Sequence, residues 1–553
     1  MKVNFVGDDD VQRSLNLSDN RCVNLYPTTN NHGEITAFIN TPGLLLYKAI
    51  TNNSIASGIY TASNGRCFMA GGSTLYEVTT GAVLTSRGMI TTPVSGNVTR
   101  FSDNGIDLIF VNGTDGWTFT FSTNELRQIK VLSGTVTVTI ASPAVFSYTA
   151  HGLVLGDRFM LATTGALPTG LADLTVYWVI SAGLTADAFE ASATSGGSAI
   201  NTSGSQSGVH TLTTIGYGFP NGAKTISYMN GRHIALEPDT QNFYVSEPLD
   251  AQTWDVLNVQ TVDSNPDYIV GEVVSHNELI VFCKLSGEAF TDSGIIPSPF
   301  VRNISGIFEV GCEAPYSIAK LDNTVYWLGN STAGKGVIYK LQGYTPVRIS
   351  TYGIEFAIQE MSDITDAIAF AYQQDGHHFY VITFPTGGKS YCYDINTGLW
   401  HERANFLNGQ FIRWEAQEYA FFDGKHLVCD YTEGNIYSID LDTYTYGSED
   451  RKWLRSFRVP TTNMNRIRHS KLQLDCEAGK GLADGTEPEA MLRFSDDGGH
   501  TWSTEKWRSM GKIGEYARRV YWKPLGKTSG QPRIYEISGT TATKTVLLNV
   551  HLE

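Results

Sequence analysis

The sequence predicts an all-β protein: a β-propeller of six or seven blades, with a small β domain inserted into it and a β-rich block at its C-terminal end. Three observations carry this. Charged residues make up only 17 % of the 553-residue chain, while Gly (55), Tyr (27) and Phe (26) are abundant, a composition suited to short strands joined by tight turns. A hairpin-like unit recurs, as in "MNGRHIALEPDTQNFYVSE" (229–247) and "FDGKHLVCDYTEGNIYSIDL" (422–441). Its turn residues Asn230, Asn277, Asn323, Asp375 and Asp423 stand 47, 46, 52 and 48 positions apart, the period of a four-stranded blade.

Residues 1–54 read as an irregular lead-in, because Pro27 and Pro42-Gly43 interrupt its short apolar runs. Residues 55–130 hold the first blades, with "GGSTLYEV" (71–78) and "NGIDLIFVNGTDGWTFTF" (104–121). Residues 131–215 break the period. They carry five charged side chains (Asp157, Arg158, Asp173, Asp187, Glu190), and "TVTVTI" alternates as a strand does, so this is the inserted small β domain. Residues 216–450 resume the blades, and Tyr391, Tyr393, Asp394 and Trp400 have kelch-like spacing. Residues 355–373 are the best helix candidate, capped at Ser362 or Asp363. Residues 451–553 read as a β-sandwich-like unit or a final blade.

Charge divides the chain at the same boundary. Residues 451–553 carry 18 Lys and Arg against 11 Asp and Glu, whereas the remainder carries 22 against 44. An acidic body of that size argues against tight phosphate binding. Cys22, Cys67, Cys283, Cys312, Cys392, Cys429 and Cys476 are dispersed and odd in number, which points to neither a disulfide framework nor a metal cluster. No signal peptide and no membrane span is read from the sequence.

The stretch "FSDDGGHTWS" contains Ser495, Asp497, Gly499 and Trp502 in the spacing of the Asp-box of sialidases and other propellers. In such a turn the carboxylate accepts backbone N–H bonds, glycines supply the backbone freedom, and the Trp packs beneath; no substrate is required. "FRVP" (457–460) is similar to the sialidase Phe-Arg-Ile-Pro motif, which raises the alternative of a sialidase-like glycosidase or a glycan-binding propeller. The blades precede that motif, however, and no arginine triad, Tyr nucleophile or acid can be assigned. Asp8-Asp9-Asp10, Glu449-Asp450 and Asp496-Asp497 read as solvated turns, not Ca²⁺ loops. His377 and His378, adjacent on a strand, point to opposite faces. The sequence therefore offers no catalytic residue, cofactor site or metal site. It does offer basic clusters with interleaved aromatics: Arg451, Arg455, Arg458, Arg466 and Arg468, then Arg518 and Arg519. These are candidate contacts with an acidic protein surface.

The segment "LRFSDDGGHTWSTEKWRSMGKIGEYARRVYWKPLG…RIYEISGT" and the N-terminal "CVNLYP…INTPGLLLY" resemble podovirus tail nozzle proteins, also called packaged-DNA stabilisation proteins. That resemblance implies a homo-oligomeric ring, usually a hexamer, made in the host cytoplasm and built into the virion tail. It also implies portal–adaptor neighbours, attached tailspikes, fibres or a needle, and transient non-specific contact with packaged DNA. The insert 131–215 is the departure from that pattern.

Overall fold

The computed structural model describes residues 5–13, 19–30, 33–50, 55–94, 96–295, 299–460 and 465–553. Its body is a ring of seven antiparallel blades. Blade 1 runs from Ala56–Thr61 to Val83–Met89, blade 2 from Arg100–Asp103 to Glu125–Gln128, and blade 3 from Ile226–Met229 to Asp250–Thr261. Blade 4 runs from Ile269–Ser275 to Phe300–Phe308, blade 5 from Ala319–Leu321 to Thr345–Arg348, and blade 6 from Ile368–Gln374 to Leu399–Glu402. Blade 7 begins with Ala416–Phe422, Lys425–Asp430 and Ile436–Asp440. Its fourth strand, Gly43–Lys48, comes from the N-terminal part of the chain and pairs antiparallel with Ile436–Asp440.

The repeat seen in the sequence is a real turn. Asn230, Asn277, Asn323, Asp375 and Asp423 all have φ between 50° and 59°, each in the two-residue turn that joins the first two strands of blades 3 to 7. Two successive residues at positive φ make the primed turn whose twist matches the flanking strands, which explains the Asn, Asp and Gly found there. An apolar layer fills each seam between blades. Phe243 and Phe290 lie between blades 3 and 4, Phe282 and Trp327 between 4 and 5, and Tyr326, Tyr380 and Trp400 between 5 and 6. The last seam, between blade 7 and blade 1, holds Leu427, Cys429, Cys67 and Met69. No blade covers both its faces alone, so closure of the ring is what buries them.

Val98 from the segment entering blade 2, Tyr316 from the turn before blade 5 and Ile368 from blade 6 form one buried cluster. Beside it Arg100 donates to Glu418 of blade 7 at 2.7 Å and to the Tyr316 carbonyl at 3.2 Å.

The insert folds by itself as a seven-stranded sheet between Ser133 and Thr214, around Phe146, Phe159 and Phe189. It is seated on the propeller by Arg158, 3.3 Å from Asp250 of blade 3, and by Arg127 of blade 2, which donates to the Leu155 carbonyl at 3.1 Å.

The C-terminal block is a sandwich and not an eighth blade. One sheet contains Trp453–Val459, Arg533–Gly539, Glu489–Ser495 and Lys506–Ser509. The facing sheet is Leu25–Thr29, Ile35–Asn40, Val546–Leu552, Leu472–Cys476 and Val520–Trp522. Phe38, Phe457, Trp522, Tyr535 and Val550 pack between them.

Two sequence expectations are corrected here. The lead-in is not irregular, since it supplies two sandwich strands and one blade strand. It also supplies Cys22–Val23, which pairs with Glu402 of blade 6 on one side and with Leu454 and Arg455 on the other, making propeller and sandwich one continuous sheet. Pro27 is tolerated in its strand, which lies at an edge of its sheet. The helix is Tyr352–Gln359, capped by the Thr351 side chain accepting from Ile354 N–H, and the downstream half of the 355–373 candidate is instead the first strand of blade 6. Its alternating apolar residues fit either period, and the blade's hydrogen bonds decide.

Candidate functional site

The Asp-box turn is built as its residue types require. Asp497 accepts from Thr501 N–H at 2.9 Å and from its hydroxyl at 2.6 Å, and Ser495 Oγ donates to the same carboxylate at 2.7 Å. Ser495 Oγ in turn accepts from Gly499 N–H at 2.9 Å. Gly498 and Gly499 have φ of 73° and 89°. These bonds, led by the Thr501 hydroxyl, hold the exposed Asp497 carboxyl well below the usual carboxylate range. Both of its oxygens are spent within the turn. Trp502 is half-buried, not fully covered, with the Arg493 guanidinium 4.6 Å from the ring centroid. Arg493 is itself fixed by two hydrogen bonds to Glu536, at 2.6 and 2.9 Å.

The neighbouring Asp496 does different work from that expected of a solvated turn. It takes two 2.7 Å hydrogen bonds from Arg533, a guanidinium only 1 % exposed. The Asp-Asp pair thus ties the turn both to itself and to the sandwich core.

The seven candidate interface arginines separate into two groups. Arg466, Arg468, Arg518 and Arg519 are exposed, and Arg458 is half-buried on the strand Trp453–Val459. Arg451 and Arg455 are 3 % and 1 % exposed and are not surface residues, which corrects their assignment. Arg455 donates to the carbonyls of Phe5 and Asp8 at 2.9 Å and lies over Phe38, while Arg451 donates to the Thr41 carbonyl. Arg455 lies on the strand Trp453–Val459, whose residues are nearly all buried, and Arg451 in the link before it; the carbonyls of the N-terminal segment are their partners.

A buried ionic joint between propeller and sandwich has no signature in the sequence. Glu402 of blade 6 receives Arg21 through two 2.9 Å hydrogen bonds and Lys389 at 3.0 Å. Burial pushes the Glu402 carboxyl up, but the two cations outweigh it and bring it down to about 2. Asp8 accepts from Trp400 N–H at 2.6 Å, and Asp9 accepts from Cys22 N–H at 3.1 Å. Burial raises Asp8 to about 6, and burial plus the charge of Glu402 raises Asp9 to about 8. The Asp8-Asp9 pair is therefore part of the joint, where a solvated turn was expected. "GDDD" looks like any acidic surface run, and only contact with residues nearly 400 positions away buries it. In blade 6 the kelch-like residues do meet: Tyr393 and Trp400 pair across strands with centroids 5.1 Å apart, and Asp394 binds Thr397 and His377, each at 2.9 Å.

Two family profiles match the chain. One, described as bacteriophage P22 Gp10, beta-propeller, matches residues 193–444, which include the end of the insert and blades 3 to 7 up to the last chain-continuous strand. The other, described as bacteriophage P22 Gp10, beta-sandwich, matches residues 452–553. No curated protein sequence gives a significant match. Among solved structures the chain is similar to BamB from Moraxella catarrhalis, with 8 % identity and a TM-score of 0.34 over 75 % of this chain and 94 % of that one. It is also similar to KlHsv2 with loop 6CD replaced by a Gly-Ser linker, with 8 % identity and a TM-score of 0.25 over 65 % of this chain and 96 % of that one. Superpositions that loose carry no argument.

Proposed function

The chain belongs to the bacteriophage P22 Gp10 family, whose members are structural tail and DNA-stabilisation proteins, and on that premise we propose that it is the tail nozzle of a short-tailed phage. In this reading it forms the distal tail tube, retains packaged DNA and lets it pass at ejection. The observation that carries the reading is the match of both family domains, propeller and sandwich, in one chain.

Two features of the fold support a ring of copies. Val98, Tyr316 and Ile368 form a buried cluster beside the Arg100–Glu418 pair, which favours a passage for DNA between subunits over one through a single propeller. The subunit also presents two unlike surfaces. On the sandwich, Trp507 (49 %), Ile513 (64 %) and Tyr516 (72 %) are exposed beside Arg508, Lys512, Arg518 and Arg519. On blade 3, three blades away from the sandwich attachment at blade 6, Val256 and Leu257 are exposed beside Asp255. A basic apolar patch meeting an apolar one that carries Asp255 would be a heterologous contact, the kind that closes rings. A portal–adaptor complex above, and tailspikes or a needle attached to the ring, complete the proposed setting.

The test is made on particles. Heads assembled without this protein are expected to lose DNA, and the purified chain added back is expected to retain it, read by nuclease protection of the genome. Equal retention with and without the protein overturns the proposal. Reversing Arg518 and Arg519, both exposed, to Glu is expected to leave the protein folded and to block joining to heads. Undiminished joining removes that patch as an interface.

A further inference from the structure

Two arginines lie close together inside the molecule without a counter-charge. Arg403 is fully enclosed (0 %), and Arg451 nearly so (3 %). The main electrostatic neighbours of Arg403 are Cys392, Tyr372 and Tyr446, and those of Arg451 are Tyr446, Tyr444 and Arg403 itself. None of these is an anion at neutral pH. Arg403 is caged by rings, with Trp414, Phe379 and Tyr372 centroids 4.9, 5.0 and 5.4 Å from its guanidinium carbon. Such contacts use the faces of the cation and recover only part of what burying the charge costs.

The hydrogen-bond count sharpens the imbalance. Among the described residues Arg403 Nη1 and Nη2, Trp414 Nε1, Tyr372 Oη and Arg451 Nε are buried with no partner. Arg403 Nε reaches His401 Nε2 at 3.4 Å, and burial together with Arg403 keeps that imidazole neutral; the Tyr372 hydroxyl and Cys392 thiol also lie near enough to Arg403 to interact weakly, as the Tyr446 hydroxyl does to Arg451, but none of them carries a negative charge. Four of the five unpartnered atoms are N–H donors, and the fifth is a hydroxyl. Native interiors rarely leave such groups unmet. A water would bring its own two hydrogens into a nest of donors and would leave both positive charges uncompensated. A small anion that only accepts meets both demands.

We propose that a chloride-sized monovalent anion binds in the seam between blades 6 and 7, between Arg403 and Arg451 and against the Trp414 N–H. Its position gives it a structural consequence. Arg403 follows the last strand of blade 6, Trp414 precedes the first strand of blade 7, and Arg451 donates to Thr41, two residues before the strand that closes the ring. The anion would therefore hold the point where the propeller is locked. This inference is independent of the tail reading.

The test uses the full chain. Thermal unfolding is compared in sodium chloride and in sodium isethionate at equal ionic strength, and crystals are soaked in sodium bromide. The expected results are a higher Tm in chloride and an anomalous bromide peak at the Arg403 Nη atoms. The folding constant should gain about a hundredfold when chloride stands at a hundred times its Kd. Arg403→Met is expected to abolish the chloride dependence. Trp414→Phe, which keeps the ring and loses the N–H, is expected to weaken it, and serves if Arg403→Met does not fold. Equal Tm in the two salts, an ordered water at the site, or bromide peaks only elsewhere overturns the proposal, as does a chloride dependence unchanged in the variants.

Discussion

Asp497 and Asp9 are both aspartates in acidic runs, and their surroundings give them opposite charge states. Asp497 is exposed and ringed by donors, so its ionised form is favoured. Asp497→Ala is expected to lower Tm while leaving the strands on either side intact, and Asp497→Asn, which keeps one acceptor, to lower it less. Asp9 is 4 % exposed beside Glu402, so its neutral form is favoured in the folded state. The sign of the pH effect follows. A carboxyl whose folded value, about 8, exceeds its unfolded one of 3.8 contributes stability that is fully present below about pH 4 and is lost as pH rises through 8. Glu402, lowered to about 2, contributes stability that is present above its unfolded value and is lost only toward pH 2. Between pH 5 and 8 Asp9 therefore lowers stability as pH rises, together with Asp8 and Asp19, which burial raises to about 6, and Glu272, Glu415 and Glu418, which burial raises to about 7. Urea unfolding of the wild type is expected to show falling stability over that window, and Asp9→Asn is expected to make the slope less steep, most of all between pH 7 and 8, and to stabilise the protein at pH 8. An unchanged slope in the variant would remove Asp9 as one of its sources.

The element that matters most is the closing strand Gly43–Lys48. It joins the first and last parts of the propeller by pairing with Ile436–Asp440, while Tyr446 pairs parallel to Leu44 on its other side. Gly43 is needed for close approach: a Cβ there would lie 2.4 Å from the Thr443 carbonyl oxygen. Gly43→Ala is expected to cost about 1–3 kcal/mol, the range for overpacking a tight contact, measured by denaturant unfolding. Within a seam the cost comes from lost packing instead. Leu427, fully buried between blades 7 and 1, is expected to cost about 2–5 kcal/mol as Leu427→Ala. The primed turns were legible because positive φ leaves a signature in residue type. The closing strand was not, because "PGLLLY" carries no mark of a partner almost 400 residues away.

At the scale of the whole molecule, the N-terminal residues act as a strap. Phe5 enters the sandwich core, Asp8 and Asp9 meet blade 6, Cys22–Val23 bridges the two domains, the hairpin Leu25–Asn40 completes the sandwich, and Gly43–Lys48 completes the propeller. Residues 452–553 made alone would lack two of the five strands of one sheet and would uncover Phe457, which Phe5 packs against, and Leu547, which is paired with Phe38. They are expected to give collapsed amide dispersion by NMR, restored when residues 1–48 are joined to them. A well-dispersed spectrum from 452–553 alone would show that the strap is dispensable. The strap also holds the sandwich in a fixed orientation to the blades, which the proposed ring would require.

The sequence by itself determined what is local or periodic. The turn spacing and strand alternation identified the blades, the loss of charge marked the insert at 131–215, and "FSDDGGHTWS" specified its own hydrogen bonds. The tertiary structure alone decided what is paired at a distance: seven blades, the sandwich, the inward-facing Arg451 and Arg455, and the ionic joint at Glu402. The physical reason is the same in each case. A turn or a strand face is fixed by the backbone preferences of adjacent residues, whereas the partner of a strand edge, or the burial of a charge, depends on which distant segment desolvates it.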